Sequence, residues 1–273
     1  MSFVNLYDSH THSDNSPDGR ESVTYMCERA IENGLRGLAV TDHCEVDAFE
    51  SGRFHISTRQ SNFEALKAKT VFRGSLIVSA GIELGQPLSN LSISENLLSA
   101  YEFDFVLASM HNMTDGTDYY YVDYSEMSET DIDSLLRTYF KDVLDITRWN
   151  GFDCLAHLTY PIRYISGASG IPVNLAKYSD TIDEILSLLA QNGKALEINT
   201  SGYRQGLDAP LPPLDCVRRF RELGGEYVTI GSDGHRSEDV GKNIADGMKL
   251  AREAGFDQFA IYLSRTPMLI DIK

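Results

Sequence analysis

Residues 4–43 read VNLYDSHTHSDNSPDGRESVTYMCERAIENGLRGLAVTDH, and their order decides the fold. The run VNLYDSH is rich in strand-forming residues and ends on His10, with His12 two residues further on. A polar turn, SDNSPDG, follows. In SVTYMCERAIENG the apolar residues fall at helical spacing, with Ser22 placed to cap the start and Gly34 to end the helix. GLAVTDH is a second strand, closing on His43. A strand, a helix and a strand, with histidine where each strand ends, form one βαβ unit.

The same pattern continues along the chain. LIVSAGIEL, FDFVLASMH, FDCLAHL, KALEINT and YVTIGSDGH are further candidate strands, for seven in all. DIDSLLRTYFKDVLDITRWNG, SDTIDEILSLLAQNG and PLDCVRRFRELGG read as helices closed by glycine. Ile182, Ile185, Leu186 and Leu189 share one helical face, as do Leu135, Leu136, Phe140 and Leu144, and both faces are assigned to the core. Residues 49–57, 112–128 and 163–179 read as long loops on the strand-to-helix side. This alternation predicts an α/β fold built on a parallel sheet or barrel. No linker or composition break divides residues 1–273, which are expected to form a single domain.

The chain carries 40 acidic and 24 basic residues, a formal charge of −16. That balance argues against a nucleic-acid backbone or an anionic membrane surface as the main partner. Bound divalent cations would offset part of it. The N-terminal residues lack a basic segment followed by an apolar one, and no apolar run approaches the ~20 residues of a membrane span, so the expected location is the cytoplasm. Cys27, Cys44, Cys154 and Cys216 are far apart and form no CxxC pair, and are read as reduced, buried thiols.

Of 7 histidines, His10, His12, His43, His111, His157 and His235 fall at or just after strand ends, while His55 is assigned to a polar, solvated loop. In parallel α/β folds the carboxyl ends of the strands converge on one face, so these residues are expected to meet. Asp18, Asp42, Glu83 and Asp233 join them. Imidazole and carboxylate are ligands for Zn, Fe or Mn, and a carboxylate can bridge two ions. His10 and His12 are spaced by two, so in extended backbone both rings project to one face, and Asp233 and His235 repeat that spacing.

The ordered set HxH (His10, His12), TDH (residues 41–43), GIE (81–83), SMH (109–111), AHL (156–158) and SDGH (232–235) resembles the polymerase and histidinol phosphatase (PHP) superfamily. The match runs from the first strand to the last. It implies a distorted (β/α)7 barrel, in agreement with the strand count. HLTYPIRY and LEINTSGYR resemble the stand-alone histidinol-phosphate phosphatases of that superfamily. By resemblance, three divalent metal ions are expected. His10, His12, Glu83 and Asp233 would hold one, and Glu83 would bridge to a second held by His111 and His157. Asp18, His43 and His235 would hold the third, Asp18 standing where relatives have histidine.

Hydrolysis of a phosphate monoester requires a nucleophilic water, neutralised phosphate oxygens and a protonated leaving group. Arg163 and Arg204 follow the fifth and sixth strands, and guanidinium suits phosphate through bidentate hydrogen bonds. Asp42 alternates to the other side of its strand from His43 and is read either as the acid that protonates the leaving group or as a carboxylate orienting a ligand histidine. Asp8, Glu197 and Asn199 are assigned to supporting hydrogen bonds or substrate contact, and the tyrosines of TDYYYVDY to a pocket wall or to loop packing. The expected substrate is L-histidinol phosphate. Two alternatives remain open at this point: a PHP phosphoesterase acting on nucleotide phosphates, and a non-catalytic metal-binding PHP module.

Overall fold

A computed structural model describes residues 3–273. In chain order the strands are β1 (Tyr7–Thr11), β2 (Gly37–Val40), β3 (His43–Glu45), β4 (Ile77–Gly85), β5 (Phe105–Ser109), β6 (Cys154–Leu155), β7 (Ala195–Asn199), β8 (Val228–Gly231), β9 (Gln258–Leu263) and β10 (Thr266–Asp271). The α-helices are α1 (Val23–Glu32), α2 (Phe54–Val71), α3 (Leu91–Ala100), α4 (Glu129–Trp149), α5 (Ser179–Gln191), α6 (Leu214–Glu222) and α7 (Ile244–Glu253).

The seven strand regions read from the sequence form one parallel sheet in the order β1-β2-β4-β5-β6-β7-β8, but GLAVTDH does not run on to His43: it breaks after Val40, and His43 instead opens the short β3, which pairs onto the upper part of β4. Its two ends meet at the top. The Asp233 amide donates to the His10 carbonyl at 2.8 Å and the His12 amide to the Gly234 carbonyl at 2.9 Å. Asp8 reinforces the seam: its carboxylate accepts from the Ser232 amide at 2.8 Å, the Ser232 hydroxyl at 2.5 Å and the Gly241 amide at 2.8 Å. The sheet is thereby a nearly closed barrel, and the closure is made by the residues that carry the histidines.

Local signals act where expected. The Ser22 hydroxyl caps α1 by accepting from the Tyr25 amide, and Gly34 takes φ +76° just beyond the helix. Ile182, Ile185, Leu186 and Leu189 of α5 are buried, as are Leu136, Phe140 and Leu144 of α4, whereas Leu135 is half-buried at the edge of the core. All four cysteines are free and buried. No described helix is long and apolar enough to cross a membrane.

Three expectations are corrected. The segment 49–57 is not all loop, because α2 begins at Phe54 and carries His55 on its exposed side. The segments 112–128 and 163–179 contain short 3-10 turns and a π-turn at Arg163–Ala168. The antiparallel hairpin of β9 and β10 was not expected, since its two-residue turn is Ser264 and Arg265, at φ 50° and 60°, rather than the Asn-Gly or Asp-Gly pair that advertises such turns. The hairpin is tied to the barrel: the Ser79 hydroxyl donates to the Tyr262 carbonyl at 2.8 Å, and Arg265 pairs with Asp153 at 2.9 Å.

Candidate metal centre

β1 carries His10 one residue before its end and delivers His12 just beyond it, both buried. Parallel pairing of β3 with β4 sets His43 beside Glu83 in register. His111, His157, Asp233 and His235 follow β5, β6 and β8. His157 and Asp233 take φ 20° and 55°, a left-handed conformation costly for such side chains and held here by surrounding contacts. All nine expected ligands come together.

Glu83 lies at the centre. Its Oε2 is 3.2 Å from His10 Nε2, 3.5 Å from His12 Nε2 and 2.9 Å from His43 Nδ1. Its Oε1 is 3.1 Å from His111 Nε2 and 2.7 Å from His157 Nε2. Asp233 Oδ1 stands 3.4 Å from His12 Nε2 and 3.8 Å from His10 Nε2. On the outer side Asp18 is 3.2 Å from His235 Nε2 and 3.8 Å from His43 Nε2, although its side chain is 61% exposed.

The donor chemistry fits divalent cations. The ligand atoms of His10, His12 and Glu83, of His43, Glu83 and His111, and of His12, His43 and His235 each lie within 4.8 Å of one another. His43 and His235 face each other Nε2 to Nε2 at 3.3 Å, as do His111 and His157. His12 Nε2 is buried without a hydrogen-bond partner. Adjacent lone pairs on buried imidazoles are a poor arrangement for water or for each other, and a good one for a cation.

Electrostatics follow from crowding. Burial opposes ionisation of Glu83, but His10, His111 and His43 hold its carboxyl well below the usual range. Burial likewise opposes protonation of His10, yet Glu197, Glu83 and Asp233 raise it well above the ordinary imidazole value. His12 goes the other way, lowered by burial and by its imidazole neighbours His235 and His43.

Two acids support the cluster. Glu197 Oε1 meets His10 Nδ1 at 2.6 Å while its Oε2 accepts from the His157 amide at 2.7 Å. Glu45, absent from the sequence reading, meets His111 Nδ1 at 2.9 Å. Each fixes which ring nitrogen faces the centre. Glu45 stands two residues after His43, hence on the same side of β3, which is the signal that would have found it.

Asp42 is buried and does not line the cleft that the histidines share with Arg163 and Arg204. Its carboxylate accepts from the Ser13 amide at 2.6 Å, the Ser13 hydroxyl at 2.7 Å, the Ser16 hydroxyl at 2.9 Å and the Ser61 hydroxyl at 2.5 Å. The Ser16 oxygen also lies 3.2 Å from His12 Nδ1. This geometry favours the second reading, a carboxylate that orients a histidine, over the acid.

Arg163 and Arg204 line the same cleft, of about 690 Å³, as His43, Glu83, His111, His157, Asp233 and His235. Arg163 is buried, donating to Asp233 at 2.8 Å and Ser201 at 2.7 Å beneath the ring of Tyr160. Arg204 donates to the Ser232 carbonyl at 2.8 Å. Arg163 Nε and Arg204 Nη1 are buried donors without partners, as at an anion site. Of the tyrosine run, Tyr120 and Tyr121 line the cleft, while Tyr119 and Tyr124 are core.

A parallel barrel that gathers imidazoles, carboxylates and two arginines at the carboxyl ends of its strands has the construction of a hydrolytic metal centre. The chain belongs to the PHP domain family, whose sequence profile matches residues 8–201. A probable histidinol-phosphatase of Clostridium acetobutylicum is 29% identical over 251 residues, covering 90% of this chain and 92% of the relative. The histidinol-phosphatase of Lactococcus lactis is 28% identical, covering 93% of each. Among solved structures, the Lactococcus lactis histidinol phosphate phosphatase complexed with zinc, L-histidinol and phosphate superposes with a TM-score of 0.77 at 24% identity, over 97% of this chain and 99% of that one.

Proposed function

We propose that the protein hydrolyses L-histidinol phosphate to L-histidinol and inorganic phosphate, with three divalent ions of Zn, Fe or Mn held by His10, His12, Asp18, His43, Glu83, His111, His157, Asp233 and His235. The observation that carries this reading is the division of Glu83's two oxygens between two sets of histidines in the cleft that Arg163 and Arg204 also line. Full-length relatives named histidinol-phosphatase support the choice of substrate. Residues 1–273 act as one catalytic domain, a reading supported by the ties from the C-terminal hairpin to Ser79 and Asp153.

Divalent ions held there would supply Lewis acidity and charge neutralisation for phosphoryl transfer to water. The chain supplies the rest. Arg163 and Arg204 bind the phosphate oxygens, and Asp233 fixes Arg163 in orientation. Glu197, Glu45 and Asp42, the last through Ser16, hold the imidazoles so that little reorganisation accompanies reaction. In the net reaction the ester P–O bond breaks, the water oxygen joins phosphorus, and a water proton ends on the alcohol. Metal-loaded protein assayed on histidinol phosphate beside a panel of phosphomonoesters tests the reading. A clear preference is expected; equal, feeble rates on every compound would overturn it.

A further inference from the structure

The cleft has a charge asymmetry that phosphate binding does not explain. Of its acids, Asp18 faces His43 and His235, Glu83 faces the buried histidines, Asp233 pairs with Arg163, and Asp239 lies 3.3 Å from Arg204. Asp118 alone of the cleft acids has no basic partner among the described residues. Its Oδ1 accepts from the Tyr120 amide at 2.7 Å and from the Tyr160 hydroxyl at 3.4 Å. Nothing among the described residues bonds its Oδ2. Burial pushes its carboxyl up from the usual value, and the Tyr120 amide with the more distant His111 and His43 offsets only part of that rise.

Position gives that acid a purpose. Asp118 lines the main cleft and also a neighbouring lobe of about 410 Å³, shared at its mouth with His43, His111 and Tyr160. Arg163 and Arg204 line only the main cleft, whereas the lobe is lined by the apolar Pro17, Ala48 and Phe54 and by the polar Asp18, Glu45 and Asn112, both acids being already paired with histidines. Tyr160 spans the two regions: its ring packs on the Arg163 guanidinium at 5.0 Å and its hydroxyl reaches Asp118. The cleft thus runs from an anion site, past a carboxylate without a basic partner, into a lobe of mixed apolar and polar lining.

We propose that Asp118 binds the α-ammonium of the phosphorylated substrate and directs its flat ring into the lobe, against Pro17, Ala48 and Phe54. This deepens the histidinol-phosphate reading and rests on it. The ammonium is the right partner because it branches one carbon from the phosphate-bearing methylene, and because a primary amine keeps its proton as pH rises past the range where imidazole loses it. Asp118 is then a specificity residue that contributes little to compounds with a phosphate but no cation.

The test uses metal-loaded wild type and D118N with three substrates: histidinol phosphate, its analogue lacking the amino group, and p-nitrophenyl phosphate. Asparagine keeps the oxygen that accepts from the Tyr120 amide, so the local turn is retained. Loss of one charge-assisted contact should raise KM for histidinol phosphate by about tenfold or more. The wild-type preference for it over the analogue should collapse toward unity. A uniform fall on all three substrates, or an unchanged preference, overturns the role of Asp118 while leaving the histidinol-phosphate reading intact. A wild type that does not favour histidinol phosphate over p-nitrophenyl phosphate overturns both.

Discussion

Glu197 holds His10 from behind, Oε1 to Nδ1 at 2.6 Å, with both side chains fully buried. This contact leaves His10 Nε2 to face Glu83 and Asp233. Its removal should loosen metal rather than unfold the barrel. Glu197→Gln is expected to weaken metal retention about 10- to 100-fold, the usual effect of losing a carboxylate behind a ligand histidine. Metal content after dialysis against graded chelator measures it, and wild-type retention would contradict the role.

Asp42→Asn separates orientation from proton transfer. With a carboxylate oxygen replaced by an amide among Ser13, Ser16 and Ser61, a buried donor is left unmatched. The variant should lose about 1–3 kcal/mol of stability in urea titration and bind metal less tightly, with the shape of the pH–rate profile retained. Full stability with the loss of one limb of that profile would restore the acid role.

Arg163 and Asp233 form a buried pair, their side chains 7% and 5% exposed. In chelator-treated protein, Arg163→Met strands a buried carboxylate and should cost about 3–5 kcal/mol by urea titration. Metal-loaded protein should lose less, since cations near Asp233 replace part of the missing charge. Equal losses with and without metal would argue against an ion beside Asp233.

The ion-free protein should have a distinctive stability profile. Burial opposes protonation of His43, but Glu83 raises its pKa to about 9. A raised imidazole pKa contributes stability that is full below the unfolded value of ~6.5 and lost as pH rises through the folded value. The melting temperature of chelator-treated protein should therefore fall between pH 6.5 and about 9. Metal loading should remove that fall, because cations displace the proton. A flat profile without metal would contradict the His43–Glu83 coupling.

The cysteines should be inert in the folded protein. Burial pushes the Cys27, Cys44 and Cys216 thiols up to about 12. Only thiolate reacts with a disulfide reagent, and at pH 8 a thiol at about 12 is ionised in about one molecule in ten thousand. Labelling is expected to wait for unfolding in urea, and rapid labelling of native protein would contradict the burial.

Fold class and the inventory of donors are legible in the residues alone. Strand runs, capped helices such as α1 and the recurrence of histidine at strand ends are local patterns, legible because the barrel brings every strand's carboxyl end to one face. The hairpin of β9 and β10 is not legible in the sequence because its Ser264–Arg265 turn lacks a glycine or asparagine signature. Tertiary structure alone decided how the site is wired. It gave Asp42 to three serines, put Glu45 and Glu197 behind imidazoles, split Glu83 between two sets of histidines and left Asp118 without a basic partner. Those outcomes depend on strand register, on the closure of β1 against β8 and on hydrogen bonds between residues remote in the chain. A side chain's hydrogen-bond partners are set by the atoms folding places around it, and residue type and spacing do not encode them.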